Sequence, residues 1–211
     1  MKTQKQIQIL LNLNIAGSVG LLIWWIMFPV LLPIANASQS FQNLVLDSNW
    51  TAINLLGLLS CLVLCIGLPG IFLAQYRHFR MTGFLGLILA CTGLILFTAI
   101  QYYETLIWPA AAQLNPGLLH SDGALVSGNS SVLAGLLISG VVLGSGYVLF
   151  GFAALKTKKF NKAGLWLLMV GVVVFGNGII FPVRTIGLIL FISGTIWISV
   201  QIRKTMPKQN N

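Results

Sequence analysis

Six apolar segments dominate the 211-residue chain, each close to the roughly 20 residues that a helix needs to cross a hydrocarbon core of about 30 Å. They run over 15–32, 51–74, 82–100, 131–155, 164–181 and 185–202. A soluble domain would have to cover that apolar surface with hydrated side chains, and this chain has few: 7% of its residues are charged, against about 25% in ordinary soluble proteins. The sequence therefore predicts an all-α integral membrane protein, a six-helix transmembrane bundle forming one polytopic domain. A soluble enzyme, a disordered chain and a secreted disulfide scaffold are excluded on the same ground.

The last two segments nearly touch. Joined into one helix from Gly164 to Ile202 they would reach about 58 Å, too long for a bilayer, with Pro182 and Arg184 at the midpoint. A tight turn at Phe181-Pro182-Val183-Arg184 is expected instead, because proline interrupts helices and an arginine can extend its head to the interface.

Basic residues are retained on the cytoplasmic side of membrane spans. With the N-terminus inside, eleven of the twelve Lys and Arg fall inside: Lys2, Lys5, Arg77, Arg80, Lys156, Lys158, Lys159, Lys162, Arg203, Lys204 and Lys208. Arg184 falls outside, and so do all three acidic residues, Asp47, Glu104 and Asp122. This partition requires an even number of spans, with both termini cytoplasmic, in a cell's inner (plasma) membrane. It also explains the net charge of +9 as a record of threading, so no nucleic-acid partner is expected. The basic, aromatic connection Tyr76-Arg77-His78-Phe79-Arg80 and the lysine cluster could attract anionic lipid headgroups at about 1 kcal/mol per basic residue, although charge retention alone gives the same pattern.

Lys2, Lys5, an apolar run and Ala35-Asn36-Ala37 before Ser38 share the outline of a cleavable signal peptide. The run is longer than such regions usually are and holds Pro29 and Pro33, which favours a retained first helix. Three N-x-[ST] triplets, at Asn36, Asn49 and Asn129, fall outside and read as incidental in a bacterial chain.

Internal similarity is weak. Gly57-Leu58-Leu59, a basic connection and Trp108-Pro109 parallel Gly135-Leu136-Leu137, a basic connection and Phe181-Pro182. Phe28-Pro29 adds a third aromatic-proline pair, so each outward-running helix is expected to finish this way. Gly140 and Gly144 form a GxxxG step, the spacing that lets helix backbones approach in lipid, and mark the fourth helix as central to packing.

Chemistry is sparse. No ionisable residue falls at mid-depth, which argues against a proton-coupled pump or a voltage sensor. The intramembrane polar positions include Asn54, Gln101 and Asn177. Cys61, Cys65 and Cys91 lack the CxxC spacing of thiol exchange and read as small packing residues. His78 and His120 fall on opposite sides, so they cannot share a metal or haem, and neither a GxGxxG nor a Walker motif occurs. No catalytic residue, metal or cofactor is assigned.

What remains is the outer end, where Tyr103, Glu104, Trp108, His120, Asp122 and Arg184 gather. Glu104 and Arg184 could pair and line an outward-facing pocket, whereas a bland reading makes Arg184 an anchor and the aromatic residues an interfacial belt. The leading expectation is a non-enzymatic protein that handles a small solute or lipid, or serves as an accessory subunit beside a membrane-protein partner. The alternative is a membrane-embedded enzyme in which Glu104, His120 and Asp122 perform acid-base or metal chemistry. A polar cavity reaching Asn54 or Asn177 would favour the first, and convergence of those three side chains the second.

Overall fold

The computed structural model describes residues 2–32, 41–119, 123–125, 128–177 and 181–206, and every element among them is helical. Helix α1 spans Lys2–Leu31, followed by the short α2, Phe41–Val45. Helix α3, Trp50–Gly67, continues into α4, Pro69–Ala74, and α5 covers Met81–Tyr102. A π turn at Tyr103–Ile107 then leads into α6, Trp108–Leu114. Three long helices complete the order: α7, Ser130–Thr157, α8, Lys162–Asn177, and α9, Phe181–Thr205.

Among the described residues, five stretches are long and apolar enough to cross a membrane: Gln4–Leu31, Trp50–Ala74, Met81–Leu114, Ser130–Thr157 and Pro182–Thr205. The chain is thus a helical, multi-pass membrane protein. The segment expected over 164–181 is a shorter apolar helix, α8, of 16 residues. Leu, Ile and Val side chains such as Ile95, Leu137, Val141 and Ile186 face outward, while Tyr147, Phe150, Phe175 and Phe191 are buried. That inversion of the soluble pattern suits a lipid surround.

Each long helix packs on the next, in the order α1, α3, α5, α7, α8, α9, and α9 returns to α1, closing a ring. Contact is tightest within the pairs α1/α3, α5/α7 and α8/α9. The reason is a shared seam of small residues. In α5, Gly86, Ala90 and Gly93 oppose Phe150, Gly146 and Leu143 of α7, so closely that a Cβ on any of the three glycines would land on the facing backbone. In α9, Gly187, Phe191 and Gly194 oppose Phe175, Gly171 and Leu168 of α8 in the same register. One partner therefore reads Gly-x3-z-x2-Gly and the other Leu-x2-Gly-x3-Phe. The first pair follows a variant, with Gly17 on Leu64, Gly67 on Asn14 and Ser60 packed on Gly20. Lipid supplies no hydrophobic drive for helix association, so close backbone approach of this kind has to hold the pairs together.

Several expectations change. The aromatic-proline pairs do not all close helices: Pro29 lies near the end of α1, but Pro109 sits inside the long bent stretch and Pro182 in the first turn of α9. A first turn tolerates proline, because its N–H would have no helical acceptor there. The turn expected at Phe181–Arg184 is therefore not found there: those residues form the first turn of α9. The parallel drawn between Gly57 and Gly135 fails as well: Gly57 is packed on the Trp24 ring, whereas a Cβ at Gly135 would meet nothing within 4 Å. The Ala35-Asn36-Ala37 triplet lies outside the described residues. Of the other N-x-[ST] sites, Asn129 caps α7, its Oδ1 accepting from Ser131 N at 2.9 Å, and Asn49 precedes α3 and donates its N–H to Asp47 Oδ1 at 2.8 Å.

Candidate functional site

The end of the bundle remote from the basic connections is where the polar residues converge. Pro109 is the local cause of its shape. It cannot donate a hydrogen bond to the preceding turn and its ring crowds the carbonyl four residues back, and the helix widens into the π turn that carries Glu104. Within and before that turn, Thr105 Oγ1 donates to the Gln101 carbonyl, and Gln101 Nε2 donates to Glu104 Oε2 at 3.3 Å. Trp50 Nε1 reaches across from α3 to donate to the Glu104 carbonyl at 3.0 Å, and its ring stacks on Trp108 at 6.2 Å.

Gln101 and Glu104 border a cavity of about 340 Å³. Its polar lining comprises Asn54, Gln101, Glu104, Ser139 and Arg184, and its aromatic lining Trp24, Trp25, Phe28 and Phe97. Arg184, in the first turn of α9, enters between two rings, its Cζ 5.7 Å from the Trp25 centroid and 5.5 Å from that of Phe175. A desolvated guanidinium over such faces gains up to about 2 kcal/mol, so the rings offset part of the cost of keeping the charge there. Trp25 is fixed in turn by donation from Nε1 to Thr185 Oγ1 at 2.8 Å. Asn54 accepts from Trp24 Nε1 at 3.3 Å and donates Nδ2 to the Trp50 carbonyl at 3.0 Å, which leaves it a wall of the cavity.

Glu104 and Arg184 attract each other across this space. No direct ion pair joins carboxylate and guanidinium, and on two residues of the cavity lining a buried polar atom has no partner: Arg184 Nε and Gln101 Oε1. Buried polar groups are normally satisfied, so unpartnered atoms bordering a cavity are places where a ligand or water can bind.

Of the sequence-selected residues, Glu104, Arg184, Asn54 and Gly140 share this cavity. Tyr103 and Trp108 join Glu104 in an adjoining crevice of about 350 Å³ between α5 and α7. Gly144 is buried in α7, while Gly140 borders the α7/α8 contact, where a Cβ at Gly176 would lie 3.3 Å from its carbonyl oxygen. His120 and Asp122 lie outside the described residues, as does the side chain of Asn177, although its neighbour Gly176 lines the cavity. No protein-family model, curated protein or solved structure matches the chain. Function therefore has to be argued from the cavity.

Sequence reasoning passed over Trp25 and Phe175 as arginine-flanking rings, and it also passed over Asn14. That residue is fully buried in α1 and donates Nδ2 to Ser199 Oγ of α9 at 2.9 Å, tying the first helix to the last. Tyr147, fully buried with its hydroxyl unpartnered near the three thiols, was not signalled either. Cys61 is buried and Cys65 and Cys91 half-buried, all three as free thiols, with Cys65 Sγ donating to the Cys91 carbonyl at 3.9 Å. Among the described residues, no three His, Cys, Asp or Glu gather in a way that could hold a metal ion.

Proposed function

We propose that the chain is a six-span inner-membrane protein, with both termini cytoplasmic, that binds a small polar solute or lipid headgroup in the Glu104–Arg184 cavity. The observation that carries this reading is the pair of opposite charges held apart around a space that also reaches Asn54. Keeping a guanidinium and a carboxylate away from water is costly, and a direct ion pair would be the simplest remedy. Their separation by a cavity supports a ligand that completes the set. The sixth span rests on the seam: α8 packs on α9 through Leu168, Gly171 and Phe175 in the register with which α7 packs on α5. At 1.5 Å per residue its 16 residues cover about 24 Å, a few ångströms short of the hydrocarbon core, which local thinning accommodates. At the basic end, His78, Arg80 and Lys156 border a crevice suited to anionic headgroups as a secondary contact.

The test is complementation. In a strain lacking the gene, with its growth or envelope phenotype recorded, wild-type protein is expected to restore function, whereas Arg184→Gln and Glu104→Gln at equal membrane abundance are not. Full complementation by both variants, with unchanged thermal stability, would leave the pair without a role and sink the reading.

A further inference from the structure

The crevice beside the cavity says more about the ligand. It shares Ile100, Glu104, Leu136 and Ser139 with the cavity, and the rest of its wall is largely apolar, including Leu96, Val132 and Trp108. It exists because α5 and α7 are sealed at one end and parted at the other. Gly86, Gly93 and Gly146 hold the backbones in contact through the basic-end half, while Gly135, further towards the N-terminus of α7, faces open space. Leu133 and Ile138, on the same stretch of α7, line neither space and are exposed where the acyl chains of a bilayer would lie.

Building on the reading of the cavity as a ligand site, we infer that the ligand is a zwitterionic membrane lipid. Its anionic group sits at Arg184, its cationic group sits at Glu104 and Gln101 Oε1 with Trp24 alongside, and an acyl chain leaves through the α5/α7 crevice. The charge inventory selects this class. One cation and one carboxylate sum to zero, so an anionic lipid would leave Glu104 opposing it and a cationic amphiphile would leave Arg184 opposing it. A soluble zwitterion would satisfy both charges but leave the apolar crevice empty. Phosphatidylethanolamine carries all three elements: a phosphate, an ammonium that can donate to the carboxylate and to the Gln101 oxygen, and acyl chains.

The test uses delipidated full-length protein in detergent, probed with phosphatidylethanolamine, phosphatidylglycerol and the soluble headgroup glycerophosphoethanolamine, a phosphodiester like the lipid, with bound adducts counted by native mass spectrometry. Phosphatidylethanolamine is expected to bind at least tenfold more tightly than either of the others. Arg184→Gln and Glu104→Gln are each expected to remove at least tenfold of that affinity. Gly135→Leu fills the crevice at a position with room for a side chain, so it should fold, and it is expected to weaken the lipid while leaving the headgroup alone unaffected. Equal binding of glycerophosphoethanolamine and the lipid, indifferent to Gly135→Leu, would make the ligand a soluble zwitterion. Preference for phosphatidylglycerol, strengthened by Glu104→Gln, would make it an anionic lipid. Either result overturns the inference and leaves the cavity reading standing. Binding of every probe unchanged by Arg184→Gln and Glu104→Gln would overturn both.

Discussion

At the scale of single residues, stability depends on where a glycine meets another backbone, and α7 offers an internal comparison. Gly146 lies against the backbone of Ala90, whereas Gly135, on the same helix, has open space around its missing Cβ. The two have the same intrinsic helix propensity, so a matched substitution isolates packing. Gly146→Val is expected to force α5 and α7 apart at a cost of about 1–3 kcal/mol, as for other overpacked interiors. Gly135→Val should stay within about 0.5 kcal/mol of wild type. Thermal denaturation in one detergent reads the difference, and equal melting temperatures would show that the seam does not hold the pair. The sequence does not mark Gly146 as a packing position, because the spacing draws the eye to the GxxxG step at Gly140 and Gly144. The tight α5/α7 approach belongs to Gly146, two residues beyond the step that spacing alone suggests, because only the facing helix decides which small residue is used.

At the scale of elements, the helical character and approximate position of the spans were legible in hydropathy, but the helix ends were not. Hydropathy marks the part of a helix that lipid surrounds, whereas the hydrogen-bonded backbone runs on into the interface, as α1 does to Lys2 and the third span does through Tyr103–Leu114. The site was half legible for a related reason. Charges are so scarce outside the basic connections that Glu104 and Arg184 select each other, but Trp25 and Phe175 join them through tertiary register, which no local pattern records. The π turn is the element that aims Glu104, and it follows from one residue. Pro109→Ala restores a backbone donor and removes the ring that crowds Thr105, so the turn is expected to relax to α geometry. The variant should melt a few degrees higher and bind its ligand at least several-fold more weakly, a trade between stability and function that strained sites commonly show. Unaltered binding with raised stability would separate the turn from the site.

At the scale of the whole molecule, the proposed six-span topology draws on the ring of helix pairs and the charge distribution, and α8 is where it is most exposed to disproof. The two described ends of the α7–α8 connection and the end of α9 are tied together: Asn161 N donates to Gln201 Oε1 at 2.8 Å and Gln201 Nε2 to the Lys159 carbonyl at 3.3 Å. If α8 crosses the membrane, Lys159 and Thr205 therefore share a side with Arg77, and Leu114 lies opposite. If α8 turned back within the bilayer, α9 would carry Thr205 to the far side and break those two hydrogen bonds. Single cysteines at Arg77, Leu114, Lys159 and Thr205, placed in a chain with Cys61, Cys65 and Cys91 replaced by Ala, separate the cases when an impermeant maleimide is applied to intact cells. Labelling is expected at Leu114 alone, with the other three reacting after permeabilisation. Labelling of Thr205 in intact cells would reduce the spans to five and place the lysine cluster and the C-terminus on opposite sides. The even span count would then be lost, and with it the argument that basic residues record how the chain was threaded.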